Sequence, residues 1–157
     1  MSIPFEDIIP IPEEFKGWYA QTTNASATVN SGVNFEWDDM IINYRDMMST
    51  DGTSSKVTIN ESGTYYIDCL VNGFGNPLAP IVLNRLRGGV TTLLAKGYAN
   101  NSGIAVYLQA IINGYFELEL GDVLTIQNAS GGGVQFRGST EGNTWWAGKL
   151  VATTNAQ

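Results

Sequence analysis

Turn signals interrupt this chain about every 8–12 residues, the spacing expected of an all-β sandwich or barrel. They read STDGTSS, NGFGNP, RGG, NNSG, NG, LGD, SGGG and TEGN. Short β-prone runs lie between them: Ser26–Val29, Val33–Trp37, Met40–Tyr44, Lys56–Ile59, Gly63–Val71, Ile81–Leu86, Thr91–Tyr98, Ala105–Ile112, Gly114–Leu120, Val123–Asn128, Gly133–Arg137 and Trp145–Thr153. Only DMIINYRDMM has the length of a helix, and its Ile41, Ile42 and Tyr44 argue against one. The pattern predicts a sandwich of about ten antiparallel strands across residues 21–157. Residues 1–20 follow another rule. Pro4, Pro10 and Pro12 prevent a helix and fit poorly in a central strand, so this segment reads as an extended arm. Its apolar side chains are Ile3, Phe5, Ile8, Ile9, Ile11 and Phe15.

Composition narrows the partners. A chain of 157 residues with 43% hydrophobic and 15% charged residues can bury a real core but has little charge to solvate a lone domain. The net charge of -7, with no basic cluster, argues against nucleic acid and against anionic membranes. A single cysteine excludes an internal disulfide framework. The N-terminal stretch has neither the basic region nor the apolar run of a signal peptide, and no stretch is long and apolar enough to span a bilayer. Synthesis in a host cytoplasm is the expectation.

One strand carries a contradiction. Along Gly63–Val71, alternation puts Tyr65, Ile67, Cys69 and Val71 on one face. The opposite face holds Thr64, Tyr66, Asp68, Leu70 and, one step further, Asn72. A half-exposed strand keeps its second face polar, yet Tyr66 and Leu70 are large and apolar. A strand apolar on both faces is buried on both, under either a loop of its own chain or a second copy.

Catalytic chemistry finds little support. With no histidine, Ser-His-Asp and Cys-His catalysis and the common zinc sites are absent. Cys69 falls on the core face and reads as an inert thiol. Glu117 and Glu119 could form a carboxylate pair for sugar hydrolysis, but a solvated strand face explains them better. Glu36, Asp38 and Asp39 offer hard oxygen ligands for calcium without the alternate-residue spacing of a known calcium loop. The glycines of 131–133 lack the Lys-Ser/Thr of a phosphate loop. The reading is a non-enzyme without a cofactor.

The order of three motifs is more specific than any one of them. ESGTYYI sets Gly63, Tyr65 and Ile67 at the start of a strand. LELGDVLTI sets Leu118, Gly121, Asp122, Leu124 and Ile126 as turn then strand. WWAGKLVA closes with Trp146, Gly148 and Leu150. From about Ala25 to Thr153 the chain resembles the complement C1q and tumour-necrosis-factor-like jelly rolls, and NYRDMMSTDGTSSKVTI fits an upstream region of that family. It departs from the pattern at Ile67 and Trp146, where Phe is usual, and at Asn60, where Pro is common. The resemblance implies a jelly-roll sandwich forming a tight homotrimer, with Tyr66, Leu70 and Trp145 at the contact between copies. It also keeps calcium near a trimer apex as an option for Glu36, Asp38 and Asp39. Two functions suit such a trimer. One is a virion-surface decoration or cement protein, fixed through its arm to the major capsid protein or another virion protein. The other is a receptor- or carbohydrate-binding knob of a phage fibre or a bacterial surface protein, for which Trp18, Trp37 or Trp145 could stack on sugar rings. The missing shaft favours the decoration protein.

Overall fold

The computed structural model describes residues 15–23, 28–49, 54–75, 80–98, 108–129, 131–136 and 144–154. Eleven strands are present among them: β1 (Gly17–Gln21), β2 (Thr28–Val29), β3 (Asp39–Asn43), β4 (Val57–Thr58), β5 (Gly63–Gly75), β6 (Pro80–Arg87), β7 (Val90–Tyr98), β8 (Leu108–Leu118), β9 (Val123–Asn128), β10 (Val134–Phe136) and β11 (Trp145–Thr153). They form two antiparallel sheets. The larger orders β2-β10-β5-β11-β1-β3, with β8 on the free edge of β5; the smaller orders β4-β9-β6-β7. This is the all-β antiparallel sandwich that the turn spacing predicts, and the jelly roll that the resemblance implies.

The core is an alternation argument made solid. Tyr65, Ile67, Cys69 and Val71 of β5 are buried, as are Ile81 and Leu83 of β6 and Leu124 and Ile126 of β9. The same cluster holds Trp18, Trp37, Trp146 and Leu150. Trp18 and Trp146 meet edge to face at 5.5 Å, and Trp37 lies 5.8 Å from Trp146. Gly148 makes that cluster possible: a Cβ there would sit 2.2 Å from the Trp18 ring. The glycine of WWAGKLVA is therefore the space that a tryptophan of β1 occupies. Because Trp18 and Trp37 are wholly buried, neither can stack on a sugar.

Four boundaries differ from the sequence expectation. The sandwich starts at Gly17 rather than residue 21, because β1 pairs with both β11 and β3. Val33–Trp37 is not a continuous strand. It makes two isolated bridges instead, Asn34 to Gln127 and Trp37 to Ser54. Asn113–Gly114 is not a turn. β8 runs straight through it, paired with β5 from Gly63 to Gly73, and the missing Cβ of Gly114 leaves room for the Phe116 ring 3.2 Å away. Eleven continuous pairs outweigh a two-residue turn preference.

The fourth is DMIINYRDMM, which is β3 followed by a 3-10 turn at Tyr44–Asp46. Arg45 and Asp46 are left-handed, at φ 48° and 55°, a conformation costly for residues with a Cβ. Two asparagines hold it. Asn43 donates to the Met48 carbonyl and accepts from the Met48 amide, both at 2.9 Å. Asn60 Nδ2 donates to the carbonyls of Tyr44 and Arg45 at 3.0 and 3.1 Å. Asn60 thus has a structural task where the resembling family commonly has proline.

The Gly121–Asp122 turn forms as expected, with Gly121 at φ 89°. Asp122, 1% exposed, accepts from Arg87 Nε and Nη2 at 2.6 Å and from the Glu119 amide at 2.9 Å. Burial alone would push its carboxyl up; the Arg87 hydrogen bonds, the Glu119 amide and the charges of Arg87 and Arg85 outweigh that and hold it below the ordinary value. A carboxyl depressed in the folded state stabilises above its unfolded pKa and loses that contribution as pH falls through the folded pKa. Asp122→Asn should therefore lower stability at pH 7 by about 1–3 kcal/mol. The deficit should shrink as pH falls below about 4, as measured by urea unfolding across pH. A deficit independent of pH would refute the assignment.

Candidate functional site

The outward face of the large sheet is where the chemistry of this chain departs from that of an ordinary surface. On β5 it presents Tyr66, Asp68 and Leu70. Their partners are Tyr115, Asn113 and Ile111 on β8 and Lys149, Ala147 and Trp145 on β11. The register makes rows across three strands. Trp145, Leu70 and Ile111 form one; Lys149, Tyr66 and Tyr115 form another; Ala147, Asp68 and Asn113 lie between them. Tyr19 of β1, opposite Ala147, extends the face and places its ring 6.0 Å from that of Trp145. The Tyr66 and Tyr115 rings are 5.1 Å apart.

Tyr66, Leu70 and Trp145 thus share one face, and Trp145 is the direct cross-strand partner of Leu70. These three are half-buried by one another and by their neighbours. The β8 side is open: Ile111 is 50% exposed and Tyr115 70% exposed. Tyr19, Ile111 and Tyr115 were not singled out in the sequence, although their alternation within Gly17–Gln21 and across Asn113–Gly114 would have found them had both segments been read as strands.

Asp68 is the odd member. Burial among these rows pushes its carboxyl above the ordinary value, opposed by the hydrogen bond from the Cys69 amide. Lys149 lies one row away on β11.

The other candidates resolve differently. Asp38 accepts from the Thr23 amide at 2.7 Å and from Thr23 Oγ1 at 2.6 Å, and Asp39 accepts from Gln21 Nε2 at 2.6 Å. With Glu36 they do not make a calcium cage, and among the described residues no group of three such side chains could hold a metal ion. Glu117 accepts from Thr64 Oγ1, while Glu119 pairs with Arg87 at 2.5 Å, so the two carboxylates serve separate contacts. Cys69 is buried and its thiol is pushed up by that burial. Phe15 lies 5.8 Å from Lys149 Nζ. Ile3, Phe5, Ile8, Ile9 and Ile11 fall outside the described residues. No described helix is long and apolar enough to cross a membrane.

The architecture defines the class, a C1q- and tumour-necrosis-factor-like jelly roll. No family model and no curated protein matches the sequence. Solved structures do. The globular domain of the zebrafish complement 1qA protein aligns with TM-score 0.68 at 15% identity, covering 88% of this chain and 98% of that one. Eiger TNF from S. frugiperda aligns with TM-score 0.70 at 13% identity, covering 90% and 96%. Murine APRIL aligns with TM-score 0.68 at 16% identity, covering 88% and 100%. At such identity the likeness establishes the fold.

Asp68 supplies a test of the face. A carboxyl raised in the folded state opposes folding once pH exceeds its unfolded pKa, so the penalty grows as pH rises towards the folded pKa. Asp68→Asn should melt higher than wild type at pH 7 and equal to it below about pH 4, where both are neutral. A lower melting temperature at pH 7 would show that Asp68 has a partner.

Proposed function

We propose that this chain is a homotrimer-forming structural protein of a virion surface, a decoration or cement protein held to its particle through the arm. The carrying observation is the open apolar face of β5, β8, β11 and β1. Four aromatic side chains, Leu70 and Ile111 share it, and its β8 side is exposed. An apolar patch of this kind on a chain that is only 15% charged is what a contact between copies requires. The resemblance to the C1q and tumour-necrosis-factor-like proteins supports a threefold ring. Attachment through Met1–Phe15 rests on the sequence: its apolar side chains need a surface, its prolines reduce the entropy lost on docking, and three arms acting together gain avidity.

Sedimentation equilibrium tests the trimer. Wild type should be trimeric at micromolar concentration. Tyr115→Lys should dissociate it, because it places an unpaired charge in a dry contact, while the monomer keeps its fold, since Tyr115 is exposed in the single chain. A monomeric wild type would sink the reading. Deleting residues 1–15 tests the attachment. The truncated trimer should melt within a few degrees of wild type and fail to bind particles stripped of it. Retained particle binding with a sharply lowered melting temperature would make the arm a structural strap instead.

A further inference from the structure

Arg85 is aimed the wrong way for a surface arginine. It lies on β6 directly opposite Leu124 of β9, two residues beyond the Leu83–Ile126 pair. Residues directly opposite on antiparallel strands share a face, and Leu83, Leu124 and Ile126 are all fully buried between the sheets. Arg85 therefore enters the end of the sandwich from the core side. Its Nε is buried and meets no acceptor. Arg87, two residues on, is satisfied by Asp122 and Glu119. Asp122 cannot serve both arginines well, because its oxygens are already engaged by Arg87 and by the Glu119 amide. A guanidinium donor withdrawn from water without an acceptor is unfavourable, and a planar carboxylate matches its fork.

The space in front of Arg85 is a cleft of about 420 Å³, within the range of roughly 300–1,000 Å³ typical of small-molecule sites. Ser62, Glu117 and Thr154 stand on its other walls. Ser62 Oγ accepts the Leu120 amide at 2.8 Å, which leaves its O–H to donate. Glu117 has one oxygen held by Thr64 Oγ1 and a second to accept. The cleft thus combines an arginine whose Nε has no acceptor with hydroxyl donors and a carboxylate acceptor. Glu117, Glu119 and Asp122 outnumber the two arginines around it. That excess of negative charge opposes a dianion such as phosphate, and Glu117 asks for a donor that a bare carboxylate ion lacks.

We propose that this cleft is a binding site for a sugar acid, with the ligand carboxylate on Arg85 and its ring hydroxyls on Glu117 and Ser62. The site lies at the strand ends, with Arg85 on its core side and Glu117, opposite Thr64, on the outward face of the large sheet.

Titration calorimetry on the full chain tests it, with glucuronate, glucose, acetate and inorganic phosphate as probes. Glucuronate should bind saturably and at least tenfold more tightly than each of the other three. Arg85→Met should weaken glucuronate at least tenfold without lowering the melting temperature, since it removes an unpaired buried donor. Arg85→Lys should also weaken it, because a point charge cannot form the fork. Glu117→Gln, an exposed change that leaves the fold intact, should weaken glucuronate several-fold and leave acetate unchanged. No saturable glucuronate binding, equal binding by Arg85→Met, or phosphate binding tighter than glucuronate would each overturn the proposal. The last would make the cleft a plain anion site.

Discussion

The structure hangs on β5 being paired on both edges and apolar on both faces. Along one edge it takes β11 from Gly63 to Leu70, and along the other it takes β8 from Gly63 to Gly73. Both hydrogen-bonding edges are thereby consumed within the chain over that length, so it cannot recruit another copy by strand addition there. Whatever it recruits must come through a face. The inner face is taken by the second sheet, through Tyr65, Ile67, Cys69 and Val71. The outer face is what remains, and a one-residue slip of β8 would turn Ile111 and Tyr115 inward and Ile112 outward. Core and candidate contact are specified by the same register.

That double use explains which parts of the fold could be read from the sequence. The alternation in Gly63–Val71 announced both faces, and the Gly121–Asp122 turn was legible because only a tight turn uses Gly-Asp between two apolar strands. The Asn113–Gly114 pair misled because local turn chemistry was the only information the segment offered. The competing constraint was long-range pairing with β5, and a sequence read locally does not show it. β1 was hidden for a similar reason. GWYAQ is short and follows a proline-rich stretch, and its role becomes visible only when Trp18 is found filling the space over Gly148. Trp18 and Trp37 were open to two readings, sugar stacking or core, and volume decided: three indoles fill the centre of a small sandwich that would otherwise hold voids.

Arg85 illustrates the opposite failure. Within IVLNRLRGG the two arginines look like charge at the end of a hairpin. The pairing of Arg85 with Leu124 shows that it faces inward, and Arg87, two residues on, follows on the same side. Arg87, which looks identical in sequence, is spent on the Gly121–Asp122 turn and so belongs to the fold. Nothing local distinguishes them; the difference is set by where β9 and its preceding turn place a carboxylate.

Asp68 connects the two faces of β5 to each other. It sits next to the buried Cys69, between the row of Trp145, Leu70 and Ile111 and the row of Lys149, Tyr66 and Tyr115. An apolar residue in its place would make the outer face more adhesive and less selective. A carboxylate held near water in the single chain is tolerable, but any partner laid over the face must either meet it with a donor or exclude it while neutral. Within the chain, Lys149 lies one row away from it. A partner surface with a donor at a fixed offset can meet that carboxylate, whereas random apolar collapse does not. The charge that weakens the face as a patch is therefore what lets it discriminate among arrangements, and specificity of this kind is favoured over adhesion wherever a protein must form one closed ring rather than an aggregate.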